Sequence, residues 1–293
     1  MSELQKRLAS SVVLLGLGLL GYFIFNWLSL YAQDLFVYVV LLLVFARLGY
    51  EWSFLVPAEN SLKKHHYLRF LLPVVVLGIL ILYVGYYDLG FFDYLDYGFL
   101  MPYILIILTI VVFAHVISSF VRHFHSGYTD HPCFVALAGI AYITLGGVGF
   151  LWIWQLSDLH YPLFFMTLVV IADSAAYFGG KKWGKHKLCP SISPGKTWEG
   201  LLSGFIGVIV FCLLCIFLGP FSDTNMEIDN LVLFSCLVLA AAVGDLYISL
   251  LKRRSGLKDV ASLIPGHGGL LDRLDSHLMF FAIFCSVFFW INY

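Results

Sequence analysis

Asp245 opens the run DLYISLLKRR at the end of a long apolar stretch. An ionisable group at membrane depth is costly and is kept for function more often than for packing. Asp245, Ser249 and Lys252 recur at i, i+4 and i+7, so a carboxylate, a hydroxyl and an ammonium share one helix face. Alone, that face reads equally well as a structural ion pair. The chain then continues SGLKDVASLIPGHGGLLDRLDS. Pro265-Gly266-His267-Gly268-Gly269 is a flexible turn entering a predicted helix, and backbone amides at such a place favour phosphate oxygens. Asp272 and Asp275 follow at i and i+3 on one face. Paired carboxylates beside such a turn suit Mg²⁺, which takes oxygen ligands from protein and phosphates together. Arg273, between them, must point elsewhere, to a phosphate or a structural acid.

A second carboxylate at membrane depth, Asp173, begins DSAAYFGGKKWGKHK. The following segment ISPGKTWEG, residues 192–200, offers Ser193, Lys196, Thr197 and Glu199 at a helix start. Its Lys-Thr pair lacks the glycine spacing of a Walker loop. Helix capping would be the ordinary reading, but placement on the same membrane face as the Gly-rich turn favours substrate contact. Together these segments form a polyphosphate site at a membrane surface. Ser-His-Asp and activated-cysteine arrangements are not visible, and phosphoryl-type transfer does not need them, because positioning and charge stabilisation supply most of its catalysis.

Other patterns read as packing. Gly16-x-Gly18-x-x-Gly21 imitates a dinucleotide fingerprint but sits inside an apolar span, where close helix approach explains it better. Gly200 and Gly204 suggest a packing face of the same kind. Cys212-x-x-Cys215 lies in FCLLCIFL with no polar surroundings and reads as small hydrophobes. Arg47 and Glu51, one turn apart, read as an internal ion pair. His123, His125, Asp130 and His131 read as a solvated loop, with the role of the histidines open.

These residues must be positioned by membrane helices. The 293-residue chain is 61% hydrophobic and 12% charged, against about 25% charged in soluble domains. Stretches of roughly 20 apolar residues occur near 10–31, 35–56, 67–86, 99–120, 134–156, 161–180, 199–219, 230–251 and 277–292. The first is too long for a signal-peptide core and lacks an A-x-A site after it, so it reads as a retained helix. Every Lys and Arg except Arg47 falls in the N-terminus or in alternate loops, whereas Asp88, Asp93, Asp96, Asp223, Glu227 and Asp229 occupy intervening ones. The positive-inside rule then predicts a cytoplasmic N-terminus and an outside C-terminus. The expected fold is an all-α polytopic membrane bundle of about nine helices. Residues 1–132 supply about four N-terminal spans, and residues 133–293 form a catalytic region with cytoplasmic loops 181–198 and 252–276.

The C-terminal 120 residues resemble the phosphatidate cytidylyltransferase family. Its S-x-x-K-R, K-D, P-G-H-G-G and D-R-x-D elements are matched at Ser249–Arg253, Lys258-Asp259, Pro265–Gly269 and Asp272–Asp275. Its S-P-x-K-T-x-E-G is matched at Ser193–Gly200, and its D-S/T-x-A-Y at Asp173–Tyr177. The resemblance implies transfer of CMP from CTP to phosphatidate, giving CDP-diacylglycerol and pyrophosphate. It implies Asp245, Asp272 and Asp275 as ligands of Mg²⁺, with a second metal ion allowed, and Lys252, Arg253 and Lys196 as phosphate binders. It also implies that His267, with Gly268 and Gly269, orients the nucleotide or pyrophosphate. CTP, phosphatidate and the bilayer are the expected partners, without nucleic acid and with a homo-oligomer allowed. A bacterial inner membrane with the active site facing the cytoplasm is the expected location. Two rivals differ in class. A CTP-dependent lipid or polyprenol kinase would transfer the γ-phosphate. A transporter with intramembrane carboxylates would show repeated halves and broken helices.

Overall fold

The computed structural model describes residues 30–57, 100–124, 131–156, 160–218, 228–261 and 268–292, plus three isolated positions. The expected spans near 10–31 and 67–86 lie almost wholly outside these residues, as does His267. The described elements are α1 (Leu30–Trp52), α2 (Leu100–Phe124), α3 (Pro132–Leu156), α4 (His160–Trp183), β1 (Lys187–Cys189), β2 (Ser193–Thr197), α5 (Trp198–Leu218), α6 (Ile228–Arg254) and α7 (Leu271–Asn292). Five of these helices, α2 to α6, are long and apolar enough to cross a membrane. The protein is an all-α integral membrane protein carrying one small β-hairpin.

The hairpin corrects the expectation of a plain loop over 181–198. α4 continues to Trp183, and β1 and β2 then pair antiparallel with Lys187 opposite Thr197 and Cys189 opposite Ser193. Two strands this short, one followed by Pro190 and the other containing Pro194, show no alternation that would betray them. The hairpin stays on the bundle because Cys189 and Ile192 bury themselves against Leu246 and Leu250 of α6. Its tip is tied to the end of α2, where His123 Nε2 and Ser191 Oγ lie 2.9 Å apart.

Helix α3 is apolar around its whole circumference and is buried over most of its length, with Phe134 and Leu137 exposed near its start. On one side Trp52 of α1 donates its indole N–H to the Val135 carbonyl at 2.9 Å. Trp52, Tyr142 and Tyr247 form an aromatic knot with ring centroids 5.6–6.2 Å apart, joining α1, α3 and α6. On the other side Gly146 and Gly149 lie against Leu278 and Phe281 of α7. Gly200 and Gly204 pack on the backbone of α4 at Ala176 and Ala172, as their spacing predicts. Cys212 and Cys215 are buried free thiols, and all six cysteines are unpaired. Leu202, Ile206 and Val210 form an exposed stripe on the opposite face of α5, where lipid would lie.

Helices α6 and α7 cross closely at Gly244. A Cβ on Gly244 would stand 2.5 Å from Met279 Cβ and 2.9 Å from the Asp275 carbonyl oxygen. Gly244→Leu should therefore force the two helices apart, and overpacking of this kind costs about 1–3 kcal/mol. Thermal unfolding in detergent should fall by several degrees for Gly244→Leu and stay unchanged for the lipid-facing Leu202→Ala.

Candidate functional site

Asp245 follows Gly244, so the contact that brings α6 onto α7 also brings Asp245 toward Asp275, and the two carboxylates interact electrostatically. Asp275 is 7% exposed. Its Oδ1 accepts the Ser276 backbone N–H at 2.8 Å, and its own carbonyl accepts the Tyr142 hydroxyl at 2.8 Å. These bonds fix the carboxylate and the helix turn that bears it. Asp245 is half-buried. It accepts Ser249 Oγ at 3.3 Å and pairs with Lys196 Nζ at 2.7 Å. Asp173 of α4 is exposed and interacts electrostatically with both Asp245 and Lys196. Lys196 of the hairpin thus pairs with Asp245 and interacts electrostatically with Asp173 and Asp275, carboxylates from two further helices. Among the described residues, Lys196–Asp245 is the one ion pair in this group. Like charges in a poorly solvated setting raise one another's energy, so the cluster favours a further cation.

Asp272 does something else. Its Oδ1 pairs with Lys252 Nζ at 2.8 Å, and its Oδ2 accepts the backbone N–H groups of Val260 and Gly269, each at 2.9 Å. Asp272 therefore closes the loop between α6 and α7. Gly268 precedes this bond at φ +86°, a left-handed conformation that glycine adopts without strain. The i, i+3 spacing of Asp272 and Asp275 sends the first carboxylate to Lys252 and the loop, the second to Asp245. Of the three expected metal ligands, the structure brings Asp245 and Asp275 together and turns Asp272 to Lys252. Lys252 likewise leaves the Asp245–Ser249 pair for Asp272. Arg253 Nε donates to the Ile192 carbonyl at 3.4 Å, which links α6 to the hairpin, and Arg273 is exposed on α7. The Gly269 N–H, expected at a phosphate, points inward to Asp272.

Of the residues expected in substrate contact over 193–200, Lys196 alone reaches the carboxylates. Thr197 Oγ1 accepts the Gly200 N–H at 3.1 Å, which makes it the N-cap of α5. It is buried among Gly180, Gly184 and Gly200. Glu199 holds the preceding turn through the His186 backbone N–H at 3.2 Å and His186 Nδ1 at 2.6 Å. Ser193 begins β2 opposite Cys189. These three build the joint between hairpin and helix, and Lys196 is the side chain that the joint delivers. His186 escaped the sequence reading because a lone histidine in a basic turn carries no pattern. Thr197→Ala should cost about 0.5–2 kcal/mol through loss of the cap, and Thr197→Ser should restore it. Thermal unfolding in detergent checks both.

Among the described residues, no three carboxylate, imidazole or thiolate groups form a ready-made ion site. The donor set still fits a small hard cation. Mg²⁺ is characteristically held by one or two carboxylates plus substrate phosphates rather than by an all-protein cage. Asp245 and Asp275 offer the carboxylates, and Asp173 interacts electrostatically with Asp245.

Comparison with known proteins identifies the family. A phosphatidate cytidylyltransferase from Haemophilus influenzae is 44% identical over 128 residues, covering 41% of this chain and 43% of that protein. Phosphatidate cytidylyltransferases from Staphylococcus haemolyticus and Staphylococcus aureus are 39% and 40% identical, each over 48% of this chain and 54% of theirs. The chain thus spans about half the length of the relatives it matches. The sequence model of the cytidylyltransferase family matches residues 6–291, nearly the whole chain, and the chain belongs to that family.

Proposed function

We propose that this protein is a membrane-embedded phosphatidate cytidylyltransferase, converting CTP and phosphatidate into CDP-diacylglycerol and pyrophosphate. The observation that carries the reading is the meeting of Asp245 and Asp275 across α6 and α7, with Lys196 and Lys252 beside them. A phosphate oxygen of phosphatidate attacks the α-phosphorus of CTP. The bond from the α-phosphorus to the α,β-bridging oxygen breaks, and its electron pair leaves with pyrophosphate. The attacking phosphate is already anionic, so no residue need remove a proton. Asp245 and Asp275 would hold Mg²⁺, with Asp173 adding negative charge nearby. The ion, when bound, neutralises charge on the nucleotide phosphates. Lys196 and Lys252 face the same phosphates, and Asp272 aims Lys252 while closing the loop. Ser249 orients Asp245, and Arg273, exposed at the start of α7, is assigned to the leaving pyrophosphate together with His267 of the Gly-rich motif. Positioning and charge account for the chemistry.

The proposed topology has nine spans, with a cytoplasmic N-terminus and an outside C-terminus. The ends of the described helices support it. The C-terminal ends of α1, α2, α4 and α6 and the N-terminal ends of α5 and α7 converge on the hairpin and on residues 255–261 and 268–270. That convergence is where the basic loops lie, so we place the site on the cytoplasmic face. The relatives are bacterial, which favours an inner membrane.

Purified protein in phosphatidate-containing micelles should be supplied with Mg²⁺ and CTP labelled at either the α- or the γ-phosphorus. The α-label should enter lipid and the γ-label should appear in pyrophosphate. Entry of the γ-label into lipid would show a kinase instead. Asp245→Asn and Asp275→Asn should each lower the rate by about 100-fold or more, the scale of several kcal/mol of lost charge stabilisation. Full activity in both folded variants would remove the site assignment.

A further inference from the structure

The loop that joins α6 to α7 is gripped at both ends by the C-terminal turn of α1. At its start, Ser255 Oγ donates to the Leu55 carbonyl at 2.8 Å. At its end, the Leu271 backbone N–H donates to Glu51 Oε2 at 2.7 Å, across 220 residues of sequence. The Glu51 side chain is fully buried, at 0% exposed. Its other oxygen takes Arg47 Nε at 2.9 Å, and the Arg47 guanidinium lies 5.1 Å from the Tyr50 ring centre. Gly269 is pressed against the same carboxylate, since a Cβ there would come within 2.6 Å of Glu51 Oε2.

An internal ion pair would need only the Arg47 contact. The second oxygen instead satisfies the first amide of α7, a group left without a partner inside the helix, and sits at the positive end of that helix. A buried carboxylate is tolerated when both of its oxygens are engaged in this way. Leu271 immediately precedes Asp272 and lies one turn before Asp275. The direction in which α7 begins therefore sets where both acids project.

We propose that Glu51 is a positioning residue for cytidylyl transfer. It anchors the first turn of α7, and so holds Asp275 against Asp245 and Asp272 against Lys252, without itself touching substrate. The N-terminal region, through α1, thereby becomes a working part of the site. The inference rests on the functional reading above, and its test separates the two.

Glu51→Ala removes both contacts, whereas Glu51→Gln keeps an oxygen for the Leu271 amide and loses the charge opposite Arg47. Each variant would be purified as its folded, monodisperse fraction. Per folded molecule, Glu51→Ala should raise the Mg²⁺ concentration for half-activation and the KM for CTP by about tenfold or more, the range seen when partners behind metal ligands are removed. Glu51→Gln should recover part of both. Hydrogen exchange of the peptide spanning 268–278 should quicken in Glu51→Ala and less so in Glu51→Gln. Should Glu51→Ala fail to fold, Glu51→Gln carries the same comparison against the wild type. Wild-type Mg²⁺ and CTP dependence in folded variants, or unchanged exchange over 268–278, would overturn the inference. A wild-type protein that makes no CDP-lipid would sink the functional reading instead, and the exchange experiment would still decide whether Glu51 holds α7.

Discussion

The crossing of α6 and α7 at Gly244 is the contact on which the site depends. An apolar bundle gains little from placing two carboxylates at the same depth, and their mutual repulsion pushes the helices apart. The absence of a side chain at Gly244 lets the α7 backbone approach close enough to offset this through packing, with the Asp275 carbonyl oxygen 2.9 Å from where a Cβ would stand. Tyr142 then pins that carbonyl from α3. The acids are thus held by a helix contact whose geometry is independent of their charge.

Three further devices answer the charge so assembled. The hairpin brings Lys196 to Asp245 from outside the bundle, on a joint made rigid by the Thr197 cap and the Glu199–His186 bond. The loop after α6 folds back so that Asp272 receives Lys252 together with two amides. The turn at the end of α1 fixes both ends of that loop through Leu55 and Glu51. Each device is a polar contact between segments far apart in sequence, and all of them gather at one end of the bundle. Substrate phosphates arriving there would meet ammonium groups already oriented, a form of preorganisation that lowers the cost of reaching the transition state.

Hydropathy made α2 to α6 legible to within a few residues, because each must bury or expose about 20 apolar residues in succession. The Asp245–Ser249 contact and the Gly200–Gly204 packing face followed from helical period alone. Period states which residues share a face; it is silent on which neighbour that face meets. Lys252 shares a face with Asp245 yet pairs with Asp272, and Lys196, outside the helix, takes its place. Spacing put Asp272 and Asp275 on one face, but it cannot show that the loop amides bind the first. Thr197 and Glu199 were expected in substrate contact; the structure shows Thr197 capping α5 and Glu199 bonded to His186, and a cap and a phosphate contact draw on the same residue types. The Arg47 partner of Glu51 was legible one turn away, but its second partner, Leu271, lies 220 positions away, where no local signal could disclose it.

The central claim is that Asp245 and Asp275, rather than Asp272, hold the divalent ion together with the nucleotide phosphates. Its most direct test is electron paramagnetic resonance titration of Mn²⁺ into purified protein with an unreactive CTP analogue. Nucleotide-dependent Mn²⁺ binding should be lost in Asp245→Asn and Asp275→Asn and retained in Asp272→Asn. Binding that survives in Asp275→Asn but vanishes in Asp272→Asn would contradict the account.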